Sequence, residues 1–303
     1  MSREKTCRNH PNSAPVSAAS NMRRWVAGFV FALFPSSPAL ADAAASVAST
    51  NCAVSTMLSA IVAPLNRTAS RIQAGQPLTI IAMGSSSTLG VGASAPAMSY
   101  PSRLEHDLKQ RFPDIEIKVI NHGIGGQDVP EELIRLDHDV TTEHPDLVIW
   151  QVGTNAVLRR DDLSTDEQLI GRGVALLQRE DIDVVLMDLQ YAPRVLARPA
   201  AAEMERLIAE IAHDAHVGLF RRFEIMEEWN HTHQLAPAEM IGADGLHMTD
   251  ASYGCLAKQL AEALAWNWQS HAKLARSPTR SPAVIAGFDN SAGTRSSELI
   301  RRR

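Results

Sequence analysis

Aromatic side chains make up only 5% of this 303-residue chain, and cysteine occurs three times. Three cysteines are too few to build a disulfide scaffold. No apolar run approaches the ~20 residues that a membrane-spanning helix needs. Basic residues are outnumbered by acidic ones, 29 to 34, which argues against a dedicated nucleic-acid binder with its basic face. The Gly-Lys-Ser/Thr ending of a P-loop is absent as well. What the chain does have is 45% hydrophobic residues. That is ample for a buried core and excludes a wholly disordered chain.

The formal charge of −5 is unevenly spread. Residues 1–41 carry +4 and residues 270–303 carry +5, so the stretch between them carries −14. Such an acidic body repels polyanions at low salt and favours neutral or cationic substrates. The amino end reads as an export signal. Arg23 and Arg24 precede the apolar run Trp25–Phe34, and Ala39-Leu40-Ala41 then offers small residues for cleavage before Asp42. Export to the periplasm or medium is therefore expected, with translation starting at Met1 or Met22. Cleavage would remove Cys7. Cys52 and Cys255 would remain, either as a disulfide or as two separate buried thiols. Residues 270–303, rich in Ser, Pro, Arg, Gly and Thr, read as a disordered basic tail free to touch an anionic surface.

Five β-rich runs stand out between these ends: Leu78–Met83, Ile115–Ile120, Leu147–Val152, Val184–Leu189 and Val217–Phe220. Most are continuous apolar runs, as parallel strands covered on both faces require. Ile115–Ile120 alternates, so it is expected at an edge. Helical patterns separate the runs over Pro101–Arg111, from the Ser164-x-x-Glu167 capping box to about Gln178, over Ala200–Ala212 and over Ala251–Trp268. The alternation predicts a doubly wound α/β sheet. Residues 51–74 also look helical, with a break or kink at Pro64. We read 42–76 as an accessory helical segment and 77–269 as one domain.

Ligands of parallel α/β sheets bind beyond the carboxyl ends of the strands. After the first strand comes Gly84-Ser85-Ser86-Ser87-Thr88, a strand-to-helix turn rich in hydroxyls and amides. Such a turn suits a nucleophile whose oxyanion is caught by its own N–H; the lesser alternative is a helix cap or phosphate-binding turn. After the second comes Asn121-His122-Gly123-Ile124-Gly125-Gly126, whose glycines let backbone amides approach a ligand. After the third comes Gly153-Thr154-Asn155, whose side-chain amide can donate to developing negative charge. Near the end, Asp244-Gly245-Leu246-His247 reads, taken alone, as a surface turn, but it also lets one loop supply a general base and the carboxylate that orients it.

Together, in this order and strand context, these blocks resemble the SGNH (GDSL-type) hydrolases over roughly residues 77–269. The resemblance implies a three-layer α/β/α, flavodoxin-like fold around a doubly wound five-stranded parallel sheet. It implies a catalytic set of Ser86, Asp244 and His247, and an oxyanion hole from Ser86, Gly126 and Asn155. One departure stands out: Ser85 replaces the family's usual aspartate and Ser87 its leucine. Ser85 or Ser87 therefore remains an alternative nucleophile, and Gly123 an alternative to Gly126.

The activity implied is that of an exported serine esterase acting on small-molecule or glycan esters with short acyl chains, O-acetylated glycans among them. Neither cofactor nor metal is expected. His213-x-x-His216 and His231-x-His233 read as solvated histidines rather than ligand pairs. No nucleic acid and no stable membrane insertion are expected as partners, and the sequence leaves oligomeric state open. Three other readings use the same residues. An O-acyltransferase would pass the acyl group to a sugar. A non-catalytic relic would only bind carbohydrate. A lipase would touch membrane, but no long exposed apolar lid is visible.

Overall fold

A computed structural model of the chain describes residues 52–159 and 163–276. The expected signal, its cleavage site and residues 277–303 of the expected tail lie outside them. The described residues belong to one compact unit.

Two short helices open the described chain, α1 (Thr56–Ser59) and α2 (Asn66–Ala74), separated by the break that Pro64 predicts. Then follow β1 (Leu78–Gly84), α3 (Ser86–Leu89) and α4 (Tyr100–Arg111). Next come β2 (Ile117–Gly123), α5 (Val129–Glu143), β3 (Leu147–Gln151), α6 (Thr154–Arg159) and α7 (Leu163–Arg179). The remainder is β4 (Asp183–Met187), α8 (Pro193–Leu196), α9 (Ala201–Asp214), β5 (Gly218–Phe220), α10 (Arg222–His231), α11 (Pro237–Met240) and α12 (Asp250–Arg276).

The five strands form one parallel sheet in the order β2-β1-β3-β4-β5, the flavodoxin-like arrangement. Burial explains the order. Every residue of β3 is buried, as are all but one of β1, and apolar side chains on both faces need helices on both faces. Among the described helices, α2, α4 and α12 pack together on one side, and α5, α7 and α9 on the other. Strand β2 lies at an edge as expected; only Ile117 and Gly123 at its ends are buried, and the residues between are half-buried or exposed.

Several expected boundaries shift. Strand β2 starts two residues later and runs on through Asn121, His122 and Gly123, because pairing with β1 continues to the Gly84–Gly123 register. Half of the expected loop is thus strand. Ser164 lies inside the first turn of α7 rather than ahead of it. Helix α12 continues to Arg276, into a stretch the sequence assigns to the tail. The segment before β1 is packed into the common core. Ile61 and Leu65 are fully buried, and the Asn267 side chain donates to the carbonyls of Ile61 (2.8 Å) and Ala63 (2.9 Å) while accepting from the Leu65 amide at 3.2 Å. Cys52 and Cys255 form a disulfide with Cα atoms 5.4 Å apart, which decides between the two readings and ties this segment to α12.

Candidate active site

Gly84 ends β1 with φ +151°, and a Cβ there would lie 2.5 Å from Thr88 Oγ1 and 2.9 Å from Gln151 Cβ. Glycine alone satisfies both the angle and the space. The chain then turns at once into α3, with Ser86 as its first residue. The three consecutive serines part ways here. Ser85 and Ser87 are buried, and both hydroxyls donate to Gln151 Oε1 at 3.0 Å. The Ser85 amide donates to the same oxygen at 3.1 Å. The Ser86 hydroxyl instead faces the imidazole, 2.9 Å from His247 Nε2.

His247 and Asp244 share a loop pinned at its base by an antiparallel bridge between Ile241 and Met248 and by the Gly242 amide donating to the His247 carbonyl at 2.8 Å. Asp244 Oδ1 accepts the amides of Leu246 (2.9 Å) and His247 (3.0 Å), forming an Asx-type turn. This leaves Oδ2 for His247 Nδ1, at 2.5 Å. Burial would raise the Asp244 carboxyl, but these three hydrogen bonds outweigh it and hold it down at about 2. The carboxylate therefore stays charged across the working range, and an Nδ1–H bond to it leaves Nε2 as the acceptor facing Ser86.

Gly126 follows β2 with φ +80° and open space where a Cβ would point. Among the described residues its amide has no partner, whereas the Gly123 amide is already bonded to Asn121 Oδ1 at 2.9 Å. A Cβ on Gly123 would strike the backbone of Leu89. The geometry thus favours Gly126 over Gly123 as a donor to a ligand. Asn155 lies in the first turn of α6 and uses one amide hydrogen on the Gln127 carbonyl, at 2.6 Å. The first three strands therefore deliver Ser86, Gly126 and Asn155 to the same end of the sheet, at the switch point between β1 and β3. His213 and His216 sit at and just past the end of α9, and His231 and His233 at and just past the end of α10. Among the described residues, no group of three or more His, Cys, Asp or Glu side chains is arranged to hold a metal ion.

Two residues the sequence reading missed hold the serine turn. Gln151 is one polar residue closing the apolar run of β3, and that anomaly was the available signal. The other is Arg222, which is fully buried; burial brings its guanidinium down to about 10. It donates to Ser87 Oγ at 3.0 Å and to the Asp188 carbonyl at 2.5 Å. Burial in turn pushes the Asp188 carboxyl up to about 7, against the Phe223 amide it accepts at 2.9 Å. Nothing in the pattern around Arg222 marks it as buried. Gln151 and Arg222 thus fix the loop from beneath.

A family model described as the Non-GDSL lipase-like family matches residues 51–269. No curated protein matches the chain. Among solved structures, a two-domain esterase (CEX) active on acetylated mannans is 22% identical with TM-score 0.58, over 69% of this chain and 55% of its own. The chain thus spans about half the length of that esterase. TesA is 21% identical with TM-score 0.55, over 62% of this chain and 99% of its own. A variant of Axe2, an acetyl xylan esterase from Geobacillus stearothermophilus, is 21% identical with TM-score 0.53, over 63% and 96%. At these identities the likeness is one of fold.

Proposed function

The chain belongs to the Non-GDSL lipase-like family, within the SGNH/GDSL-like hydrolases, and from that premise we propose that it is an exported serine esterase with Ser86 as nucleophile. The observation that carries the proposal is the unbroken chain Ser86 Oγ–His247 Nε2–Asp244 Oδ2, with links of 2.9 Å and 2.5 Å.

His247 Nε2 takes the proton from Ser86 as Oγ attacks the ester carbonyl. The charge that gathers on the carbonyl oxygen is held by the amides of Ser86 and Gly126 and by the free hydrogen of the Asn155 amide. The tetrahedral adduct collapses by breaking the bond to the alkoxy group, which leaves with the proton from His247. Water, deprotonated by the same imidazole, then attacks acyl-Ser86, and the acid departs as the proton returns to Ser86. Asp244 remains a carboxylate throughout and stabilises the transient imidazolium.

The acetyl mannan and acetyl xylan esterases that share the fold support short acyl groups on glycans as the substrate class. A second reading has its own observation. A cavity of about 650 Å³ lies against the loop that bears Asp244, with Tyr191, Pro193, Leu196, Met240 and Ile241 among its walls. A mainly apolar cavity of that size suits a longer acyl chain better than an acetyl group. The Cys52–Cys255 disulfide supports export, since such bonds persist in oxidising compartments.

The test compares wild type with Ser86→Ala on p-nitrophenyl esters from acetate to octanoate and on acetylated xylan and mannan oligosaccharides, with fluorophosphonate labelling alongside. Wild type should release acid and take the label, and Ser86→Ala should do neither. Wild-type turnover by a folded Ser86→Ala would sink the assignment. Acyl transfer to an added sugar in place of hydrolysis would move the protein to the acyltransferases.

A further inference from the structure

We propose that Arg159 is a positioning residue for the oxyanion donors, clamping the loop that carries Gly126 onto helix α6. The inference rests on the serine-esterase reading above.

Asn155 and Arg159 stand four residues apart on α6, so their side chains leave the same helix face one turn from each other. Each takes hold of the same loop. Asn155 Nδ2 donates to the carbonyl of Gln127 at 2.6 Å, and the Arg159 guanidinium donates to the carbonyl of Gly126, the residue before it. Two successive carbonyls are thus held by two side chains of one short helix. The far side of the guanidinium faces acids at the start of α5. Its Nη1 lies 3.8 Å from Oδ2 of the buried Asp128 and 3.9 Å from Glu131 Oε1. Asp128 is itself locked at that helix start. Its Oδ1 accepts the Val129 amide and its own amide donates to Glu131 Oε2, both at 3.0 Å.

The need for a clamp follows from Gly126. Its φ of +80° is a conformation that side-chain-bearing residues rarely adopt, and nothing crowds its Cα. The glycine is there for its backbone angle, and it brings the freedom that comes with having no Cβ. An amide meant to meet an oxyanion must be fixed before the reaction. Fixing the Gly126 carbonyl limits rotation at that residue, and fixing the Gln127 carbonyl holds the Asn155 side chain in the rotamer that leaves its second hydrogen available. A guanidinium, planar and forked, can hold the carbonyl while facing Asp128; an ammonium acts as a single point. The rival account is a surface ion pair. Arg159 is 42% exposed and its two acidic contacts are long, and pairs of that kind contribute little.

The test measures kcat and KM of the full chain on p-nitrophenyl acetate for wild type, Arg159→Ala and Arg159→Lys, with thermal midpoints. Arg159→Ala should lose about 10–100-fold in kcat, a misplacement effect smaller than deletion of a donor. Its KM should stay within about threefold and its midpoint within about 3 °C, as for a surface substitution. Arg159→Lys should recover part of the loss. Should Arg159→Ala not fold, Arg159→Gln carries the same comparison with the same outcomes. Wild-type kcat in the variant, or a loss confined to KM, overturns the proposal, as does a kcat loss matched by a collapse in midpoint. Wild-type hydrolysis by Ser86→Ala, measured beside them, would instead bring down the esterase reading and this proposal with it.

Discussion

Removing the Cys52–Cys255 bond should destabilise the fold far more than its place before the first strand suggests. The bond joins residues 203 apart in sequence. In the chain-entropy description, cross-linking a loop of that length removes denatured-state freedom worth about 5 kcal/mol, and measured losses on removing native disulfides run to about 2–5 kcal/mol. Both cysteines are 2% exposed, so their loss also disturbs packing. The Trp229 indole donates to the Cys52 carbonyl at 3.1 Å, and Gln234 Nε2 donates to the neighbouring Ala53 carbonyl at 2.7 Å. Some of the anchoring therefore survives reduction, and the full entropic figure is a ceiling. For a domain of this size about 2–5 kcal/mol corresponds to a midpoint lower by about 5–20 °C. The assay is thermal unfolding of the oxidised chain, of the chain under a phosphine reductant and of Cys52→Ser/Cys255→Ser, with alkylation under denaturing conditions to count thiols. A shift below about 2 °C, or two alkylatable thiols at these positions in unreduced protein, would refute the reasoning.

Asn155→Ala should cost about 10²–10³ in kcat, the usual effect of deleting one oxyanion donor, and a loss below threefold would remove Asn155 from the hole. Gln151→Leu should lower stability by at least about 2 kcal/mol in denaturant unfolding, because it strands the buried Ser85 amide and hydroxyl and removes the acceptor of the Ser87 hydroxyl, which keeps only its bond from Arg222; a loss below about 0.5 kcal/mol would contradict this. Burial holds the carboxyls of Asp188 and Glu132 at about 7 in the folded chain, against ~4 when unfolded. Their raised values favour the folded state below about pH 4, and that contribution is lost as pH rises through 7. The thermal midpoint should therefore be higher at pH 5 than at pH 8, and Asp188→Asn with Glu132→Gln should flatten the difference. A midpoint that rises towards pH 8 in the wild type would overturn it.

What could be read in advance divides along physical lines. Residues that must be special in type announced themselves. Gly84 needs its angle, Asn155 opens the helix that follows a strand, and Asp244 and His247 are close enough to share a turn. Strands β1 and β3 were legible because burial on both faces leaves mostly apolar side chains. Helix α5 was not recognised, because its buried Glu132, paired with the Trp150 indole at 2.7 Å, and the buried Asp139 break the apolar stripe. Which of three adjacent serines faces the imidazole depends on Gln151, 64 to 66 residues away, and a long-range partner leaves no local trace. Arg222 was invisible for the same reason: its partners Ser87 and Asp188 are brought to it by the sheet alone.

The bridge between Ile241 and Met248 divides the proposed machinery into two parts of different mechanical origin. The half that bears the nucleophile and the oxyanion donors, Ser86, Gly126 and Asn155, follows three neighbouring strands, and side chains of Gln151, Arg222 and Arg159 hold its loops. The basic half hangs from a hairpin outside the sheet, just ahead of α12. A change of length between the end of α10 and Ile241 would therefore re-aim the imidazole while leaving the pocket for the oxyanion untouched. The staple from Cys255 back to Cys52 restrains the helix onto which that hairpin feeds, so the amino-terminal segment, remote in sequence from His247, helps set where the base stands.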